Sequence, residues 1–132
     1  TKDISFEMGR LKGYRNFCTK VWNAARFING YPVGNDSFQS ANKTDEWIYE
    51  EFDKSKKQIE KNIKDYRLDY AIYEVYEFFW SKFCDVYIEE CKKSGETNNL
   101  RPLLKEILIM MHPFAPFITE EIHSLLFESS II

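Results

Sequence analysis

Apolar residues recur along this chain at steps of three and four, the spacing of α-helices, and strand-like alternation is hard to find. The first predicted helix runs from about Arg10 to Ile28. Its inward stripe is predicted to consist of Leu11, Tyr14, Cys18, Val21, Ala25 and Ile28. Helix-breaking Gly and Pro residues follow this stripe, so the segment from Gly30 to Lys43 is predicted to be a loop.

Two longer helical patterns follow the loop. The second helix is predicted to begin near Thr44, which would cap it, with Asp45 and Glu46 in its first turn, where the helix dipole favours acids. Its inward stripe is predicted to be Ile48, Phe52, Ser55, Ile59, Ile63 and Tyr66. The third helix is predicted from about Asp69 to Lys93, and it has an apolar face wide enough to contact two or more neighbours. We expect Trp80, Phe83, Cys84 and Tyr87 to be core or interhelix residues.

The chain is predicted to end in two shorter helices. The fourth covers about Leu100 to His112 and stops before Pro113, and its inward residues are predicted to be Leu103, Leu104, Ile107, Leu108 and Met111. Thr119 is predicted to cap the fifth, with Glu120 and Glu121 in its first turn and Ile122, Leu125 and Leu126 inward. Together these elements predict an all-α protein, an antiparallel bundle of about four to five helices.

Length and composition narrow the class of protein. The 132 residues, 44% of them apolar and 17% aromatic, predict one globular domain over residues 1–132. No apolar run approaches the roughly 20 residues of a membrane span. Because the chain begins without Met and stops within an apolar segment, we expect a piece of a longer protein, truncated at its C-terminus. Cys18, Cys84 and Cys91 are odd in number and lack a CxxC motif, which favours buried thiols in a reducing compartment and therefore the cytoplasm.

The first helix carries cations that are not mixed with acids. Between Met8 and Asn35 there are five cations and no Asp or Glu, although the whole chain has a formal net charge of −3. On a helix, Asn16, Lys20, Asn23 and Phe27 form one ridge, and Arg15, Thr19, Trp22 and Arg26 form the next. Cations for phosphates, amides for base edges and an aromatic ring for stacking favour an RNA-binding surface.

The same pattern allows a purely structural alternative. The charges would then only solvate one face, and the arginines would pair with acids of the second or third helix. Trp22, Asn23 and Phe27 would pack against the loop that follows the first helix. An acid-free face argues against this alternative, because ordinary solvated faces usually mix both signs of charge.

Catalytic and metal-binding patterns are not evident in the sequence. His112 and His123 have no third ligand at metal-site spacing, so no metal site is predicted. The adjacent glutamates, such as Glu89 and Glu90, point in different directions on a helix and do not form a general acid/base pair. There is no Gly-rich phosphate loop and no Ser/His/Asp arrangement. We therefore predict no catalytic residues and no cofactor for this chain itself.

Four collinear segments resemble the anticodon-binding domain of valyl-tRNA synthetases, a group of class I aminoacyl-tRNA synthetases. Residues 13–27, GYRNFCTKVWNAARF, resemble its opening helix, and residues 76–89 resemble the WxxFCDxY pattern of its central helix. Residues 112–122, HPFAPFITEEI, resemble the turn into its last helix, where His123 replaces a more usual Trp. Residues 3–6 resemble the segment that leads out of the catalytic domain, which assigns residues 1–9 to that connection.

The resemblance implies a helical bundle that docks the anticodon stem-loop of valine tRNA. In that family ATP and Mg are used on a separate domain that attaches valine to its tRNA, so other domains of the parent enzyme are expected partners. The predicted RNA-binding residues are Arg10, Arg15, Asn16, Lys20, Asn23, Arg26 and Phe27. We also expect Asp85 to pair with an arginine of the first helix. Two alternatives remain: the equivalent domain of an isoleucyl- or leucyl-tRNA synthetase, and a helical protein-interaction module.

Overall fold

The computed structural model describes the backbone of residues 2–128 and 131 and the side chains of residues 12–128 and 131. Within these residues the secondary structure is entirely helical, which confirms the predicted all-α class. The elements are α1 (Lys2–Asn29), α2 (Lys43–Lys64), α3 (Leu68–Glu77), a π-helical segment (Phe78–Ile88), α4 (Glu89–Ser94), α5 (Leu100–Met111) and α6 (Pro116–Phe127). The backbone of α1 therefore begins earlier than the predicted Arg10.

The third predicted helix is one continuous rod, residues 68–94, here called the central helix. It consists of α3, the π-helical segment and α4, which abut without a break. It ends at Gly95, whose φ of 77° is the left-handed conformation that glycine adopts readily at a helix C-terminus. The predicted limits of this helix, Asp69 to Lys93, are confirmed to within a residue.

α2 and the central helix, which follow one another in the chain, pack antiparallel. Ser55 Oγ donates to Glu74 at 2.9 Å, and the Tyr87 hydroxyl donates to Asp45 at 2.8 Å, so α2 and the central helix run in opposite directions. At the far end of α1, Arg101 at the start of α5 donates to the backbone oxygen of Asn29 at 3.3 Å. This is the antiparallel bundle that the sequence predicted.

α1 and the central helix, by contrast, run in the same direction. The rings of Phe17 and Tyr76 stack with centroids 4.1 Å apart, and farther along both helices the Lys92 ammonium lies 4.5 Å from the Phe27 ring. The contacts therefore advance together along the two helices. As a result, the C-terminal half of α1 lies beside the π-helical segment and α4.

The buried stripe of α1 is rotated from the predicted one. Its fully buried apolar residues are Phe17, Val21, Ala24, Ala25 and Ile28. Tyr14 is exposed and Cys18 half-buried, and the side chain of Leu11 lies outside the described residues. Phe17 was missed because it is three residues from Tyr14 and four from Val21, so spacing alone does not choose between it and Cys18. Phe17 takes the buried position because its ring packs against Tyr76 and Phe79 of the central helix.

The predicted ends of α2 need two corrections. Its N-cap is Asn42 rather than Thr44, because the Asn42 side chain accepts from the backbone N–H of Asp45 at 2.8 Å. At the other end Ile63 is exposed, and Tyr66, with 92% of its surface accessible, lies beyond the helix. Asn62 takes the last inward position instead. The bend into the central helix turns the chain away before the predicted stripe can continue.

In the central helix, Phe83, Cys84 and Tyr87 are buried as predicted, but Trp80 is exposed. The π-helical winding changes which residues share a face, and the α-helical period used for the prediction does not account for this. Lys20 of α1 covers the Trp80 ring from 5.1 Å. Trp80 is thus an interhelix residue at the surface beside α1, the second of the two positions predicted for it.

The last helix begins earlier than predicted, at Pro116, with Ala115 as its N-cap. Thr119 lies inside the helix, where its hydroxyl donates to the Ala115 carbonyl at 2.8 Å, so it is not the cap. The inward face of the helix contains Thr119, Ile122 and His123, so His123 is buried and Leu125, predicted to point inward, is exposed. Ile122 is buried and Leu126 half-buried, as the sequence predicted.

A buried polar network closes the end of the bundle where three connections meet. The Asp45 carboxylate accepts from the Tyr87 hydroxyl at 2.8 Å, from Asn99 Nδ2 at 3.1 Å and from the backbone N–H of Ala41 at 2.9 Å. Asn99 Oδ1 in turn accepts from Asn35 Nδ2 at 3.0 Å. We call this set of residues the Asp45 network. It fixes the loop between α1 and α2 to the start of α5.

Gly34 allows that loop to approach the connection before α5. A Cβ atom at residue 34 would lie 2.6 Å from Asn98 Cα, which is closer than two carbon atoms can pack. The neighbouring Asn35 N–H donates to the Asn98 carbonyl at 3.0 Å. The predicted loop is confirmed, and the absent side chain of Gly34 is what lets its backbone lie against Asn98.

Candidate nucleic-acid interface

The structure places most of the predicted RNA-binding residues on the outer surface of α1. Arg15, Asn16, Asn23 and Arg26 are exposed, and Lys20 and Phe27 are half-buried. We call these six residues the α1 face. The side chain of the remaining predicted residue, Arg10, lies outside the described residues. The helical spacing of three and four brings the six onto two adjacent ridges, as expected.

One ridge of the α1 face borders a groove against the central helix. Lys20, Asn23 and Phe27 form its α1 wall, and the opposite wall is formed by Cys84, Ile88, Glu89 and Lys92. Burial raises the pKa of the Cys84 thiol to about 12, so this group is a neutral part of the wall at physiological pH. The groove thus combines apolar side chains with an amide, two cations and one acid, Glu89.

Lys20 contacts the central helix with its charge. Its ammonium lies 3.9 Å from the Asp85 carboxylate and 5.1 Å from the centre of the Trp80 ring. Asp85 therefore pairs with Lys20, and the expected pairing with an arginine was wrong. More than half of the Asp85 side chain is accessible to solvent, so this ion pair contributes at most about 1 kcal/mol. Lys20 can exchange this partner for a phosphate at little energetic cost.

Phe27 is partly covered in the absence of a ligand. Tyr31 meets it edge-on with ring centroids 5.1 Å apart, and the Lys92 ammonium lies 4.5 Å from its centre. The structural alternative, in which Phe27 packs against the following loop, is thus correct for its contact with Tyr31. An exposed cation–π contact contributes about 0.5–1 kcal/mol, whereas base stacking contributes about 1–3 kcal/mol. An unpaired base can therefore displace Lys92 from the ring.

The structural alternative requires the arginines of α1 to pair with acids of the second or third helix, and Arg15 and Arg26 do not meet this requirement. Within residues 12–128 and 131 neither guanidinium lies within ion-pair distance of a carboxylate. Both side chains are exposed, and the segment from Met8 to Asn35 contains no acid that could neutralise them locally. Their charge remains available to a polyanion.

Trp22 and Asn23 are neighbours in sequence but face different surroundings. Trp22 is half-buried and lines a small apolar cleft with Ile122, Leu125 and Leu126 of α6. Asn23 is exposed at the rim of the groove beside the central helix. Trp22 therefore packs within the bundle, whereas the amide of Asn23 is open to a ligand.

The wall contributed by the central helix was not predicted as part of the site. Lys92 and Glu89, paired to each other at 3.0 Å, border the groove although they lie far from α1 in sequence. The basic pattern of α1 indicates which face is polar, but not which helix packs beside it. Parallel packing against the central helix is a tertiary feature, and no local spacing in α1 encodes it.

The described residues show neither a metal-binding cluster nor a membrane-spanning helix. His112 Nδ1 lies 3.0 Å from Thr119 Oγ1, a contact that joins α5 to α6 across the turn. Among the residues whose side chains are described, no three His, Cys, Asp or Glu residues are grouped so that they could hold a metal ion. None of the described helices is both long and apolar enough to cross a membrane.

Comparison with known protein families gives one match. The model of a family described as the anticodon-binding domain of tRNA ligase matches residues 45–132, which is more than half of the chain. The match begins in α2 and includes the central helix, α5 and α6, while α1 precedes it. The matched part therefore contains the wall of the groove that the sequence analysis had missed. On this match, the chain belongs to the family of anticodon-binding domains of tRNA ligases.

Proposed function

We propose that this chain recognises the anticodon stem-loop of valine tRNA, as the anticodon-binding domain of a valine–tRNA ligase. Membership of the tRNA-ligase family supports recognition of a tRNA anticodon. The restriction to valine rests on the resemblance of residues 13–27 and 76–89 to valyl-tRNA synthetases.

The observation that carries the proposal is the α1 face beside its groove. Arg15 and Arg26 are exposed without ion-pair partners among the described residues, and Asn23 and Phe27 border an open groove. Arginines neutralise phosphates, an amide bonds to base edges, and an aromatic ring stacks on an unpaired base. A single-stranded loop presents all three of these groups within a few nucleotides.

The proposal extends to the parent enzyme. Its other domains would bind ATP with Mg and attach valine to the tRNA, while this chain would hold the anticodon end in place. We place the parent enzyme in the cytoplasm, because the chain has three free cysteines, two of them buried. The predicted role of Arg10, one turn before Tyr14, is part of the same proposal.

The test measures binding of the 132-residue chain to RNA hairpins by fluorescence anisotropy at low salt. The hairpins share one stem and carry valine, isoleucine or leucine anticodons. We expect the valine hairpin to bind most tightly and its affinity to fall as salt rises, with a log–log slope of about −0.7 for each phosphate neutralised. Phe27→Ala should weaken binding by about 1–3 kcal/mol through loss of stacking.

Matched controls separate a specific site from general loss of aromatics or charge. Phe117→Ala removes a ring of the same kind that is 89% exposed on α6, and Lys43→Ala removes a cation at the start of α2. Neither should change hairpin affinity appreciably. Preference for the isoleucine or leucine hairpin would reassign the amino acid. Absence of binding, or binding unchanged by Arg15→Ala and Phe27→Ala, would favour a protein-interaction module instead.

A further inference from the structure

A second basic surface lies on α2 and the bend that follows it. Residues 54–67 contain six cations and only two acids, Glu60 and Asp65. Lysines recur on α2 at steps of three, four and three, at Lys54, Lys57, Lys61 and Lys64. The buried positions of the helix, among them Phe52 and Ile59, lie on its opposite side, so this row of lysines faces solvent.

The two ends of this row differ in how their charges are partnered. Lys54 lies 3.6 Å from Glu51, and Lys57 lies 3.1 Å from Asp53, so their charges are partly neutralised. Lys61, Lys64 and Arg67 have no carboxylate within ion-pair distance among the described residues. Asp65 shares a shallow surface cleft with Lys61 and Arg67, yet it forms no ion pair with either in the described part of the chain.

Exposed aromatic rings accompany the unpaired cations. Tyr66 is 92% accessible, Tyr73 is 63% accessible, and the Arg67 guanidinium lies 5.3 Å from the centre of the Tyr70 ring. Tyr66 has a φ of 58°, at the position after the helix where glycine is the usual residue. The backbone there favours glycine, and the ring is hardly buried, so neither feature explains a tyrosine through the stability of the fold.

We infer that Lys61, Lys64, Arg67, Tyr66 and Tyr70, here called the basic corner, form a second RNA-binding surface that contacts the tRNA outside its anticodon stem-loop. The inference rests on the proposed function, since the α1 face is taken to hold the loop. Cations near phosphates and an exposed ring near a base constitute the same chemistry as on α1. Leu68 and Ile63 are also exposed here, but two of the three unpaired cations are lysines, which protein interfaces tend to lack, so the charge favours a polyanion over a protein partner.

The test compares full-length tRNA with its isolated anticodon hairpin, using the 132-residue chain and a variant carrying Lys61→Gln, Lys64→Gln and Arg67→Gln. A control variant with Lys43→Gln, Lys93→Gln and Lys105→Gln loses the same charge elsewhere. We expect the basic-corner variant to bind full-length tRNA roughly tenfold more weakly, with a salt slope shallower by about 2, and to bind the hairpin like the control.

A second variant guards against effects on folding. Tyr66→Gly removes the ring and supplies the residue that best adopts this backbone conformation, so the melting temperature should be unchanged or higher. Its affinity for full-length tRNA should nevertheless fall roughly fivefold or more if the ring stacks on a base. Tyr66→Phe keeps the ring and should bind as the parent chain does.

The outcomes separate the two proposals. If the basic-corner and control variants bind full-length tRNA equally, or if the basic-corner variant loses hairpin and full-length tRNA to the same extent, the second surface does not exist. The inference would also be overturned if the basic corner bound an acidic protein while its substitutions left the affinity for tRNA unchanged. If Arg15→Ala and Phe27→Ala leave hairpin binding intact, the proposed function fails, whatever the basic corner does.

Discussion

The Asp45 network and the α1 face are both rich in polar groups, yet their polar groups are satisfied in opposite ways. In the network, Asp45 is buried and its carboxylate accepts three hydrogen bonds from α5, the central helix and the loop before α2. On the α1 face, Arg15 and Arg26 are exposed and have no ion-pair partner in the described part of the chain.

This difference distinguishes polar residues that stabilise the fold from those available to a ligand. A buried donor or acceptor without a partner costs about 1–3 kcal/mol, so each hydrogen bond of the network contributes to the stability of the fold. Exposed groups are hydrated and carry no such requirement. Substitutions in the network should therefore change stability, whereas substitutions on the α1 face should change RNA affinity.

The largest effect is expected from Asp45→Ala. Removing the carboxylate takes away the acceptor of the buried Tyr87 hydroxyl and of the Ala41 N–H, and it leaves Asn99 Nδ2 with the Gln39 carbonyl as its acceptor. We expect the free energy of unfolding to fall by about 3 kcal/mol or more, measured by urea denaturation. Asp53→Ala, an exposed acid on the same helix, should change it by less than about 0.5 kcal/mol.

If Asp45→Ala and Asp53→Ala lowered the free energy of unfolding equally, the distinction between the Asp45 network and exposed polar groups would be contradicted. Tyr87→Phe refines it further, because it deletes one hydroxyl and keeps the buried ring. Its loss should lie between the two values, at about 1–2 kcal/mol.

An intermediate effect on stability is expected from Glu51→Gln. The Glu51 side chain is less buried than Asp45 and less exposed than Arg15 and Arg26. A hydrogen bond from Lys82, at 2.9 Å, lowers the pKa of the Glu51 carboxyl below its usual value, while burial opposes this shift. Because the pKa is lower in the folded state, the pair stabilises the protein above the unfolded pKa, and this stability is lost as pH falls through the folded value. Glu51→Gln should therefore be less stable at pH 7 by about 0.5–1 kcal/mol.

The pH dependence gives the decisive readout for that pair. Urea titrations from pH 7 down to pH 3 should show the parent chain and Glu51→Gln converging in stability as the carboxyl becomes protonated. A difference that stays constant or widens on acidification would contradict the assignment. Glu50→Gln, an exposed position on the same helix, is the matched control.

The smallest effect on stability is expected from the combined substitutions Arg15→Ala and Arg26→Ala. Both side chains are exposed, and alanine is at least as favourable as arginine within a helix, so the free energy of unfolding should change by less than about 0.5 kcal/mol. The salt slope for hairpin binding should nevertheless become shallower by about 1.4 if each arginine neutralises one phosphate. A loss of stability comparable to that of Asp45→Ala would place these arginines among the structural residues.

Local sequence signals predicted where most of the helices lie, but they did not always predict which side of a helix is buried. Periodicity predicted every helical segment and the interior of α5, where Leu103, Leu104, Ile107 and Leu108 are all buried. It failed for Phe17 of α1, since several residues fit the same spacing and only packing against the central helix selects one. It did not decide between a buried and an interhelix position for Trp80, because π-helical winding departs from the α-helical period, and the ring lies exposed beside Lys20.

The candidate site shows the same division. Charge and spacing indicated the polar side of α1, and Arg15, Asn16, Asn23 and Arg26 are indeed exposed. The Asp45 network could not be predicted, because it joins groups from α2, the central helix and α5 that are distant in sequence. The N-cap Asn42 was overlooked since Thr44 has the same capping chemistry and comes directly before the acids of the first turn.

The buried thiols have a practical consequence for spectroscopy. Burial raises the pKa of Cys84 to about 12 and that of Cys91 to about 11, so at pH 7.5 neither sulfur offers the thiolate that maleimides attack. Only Cys18, which is half-buried, would need replacement by alanine. A cysteine introduced at the exposed Asn16 could then carry a single fluorophore, leaving both interior sulfurs in place. The fold thus protects both buried thiols from the labelling reagent.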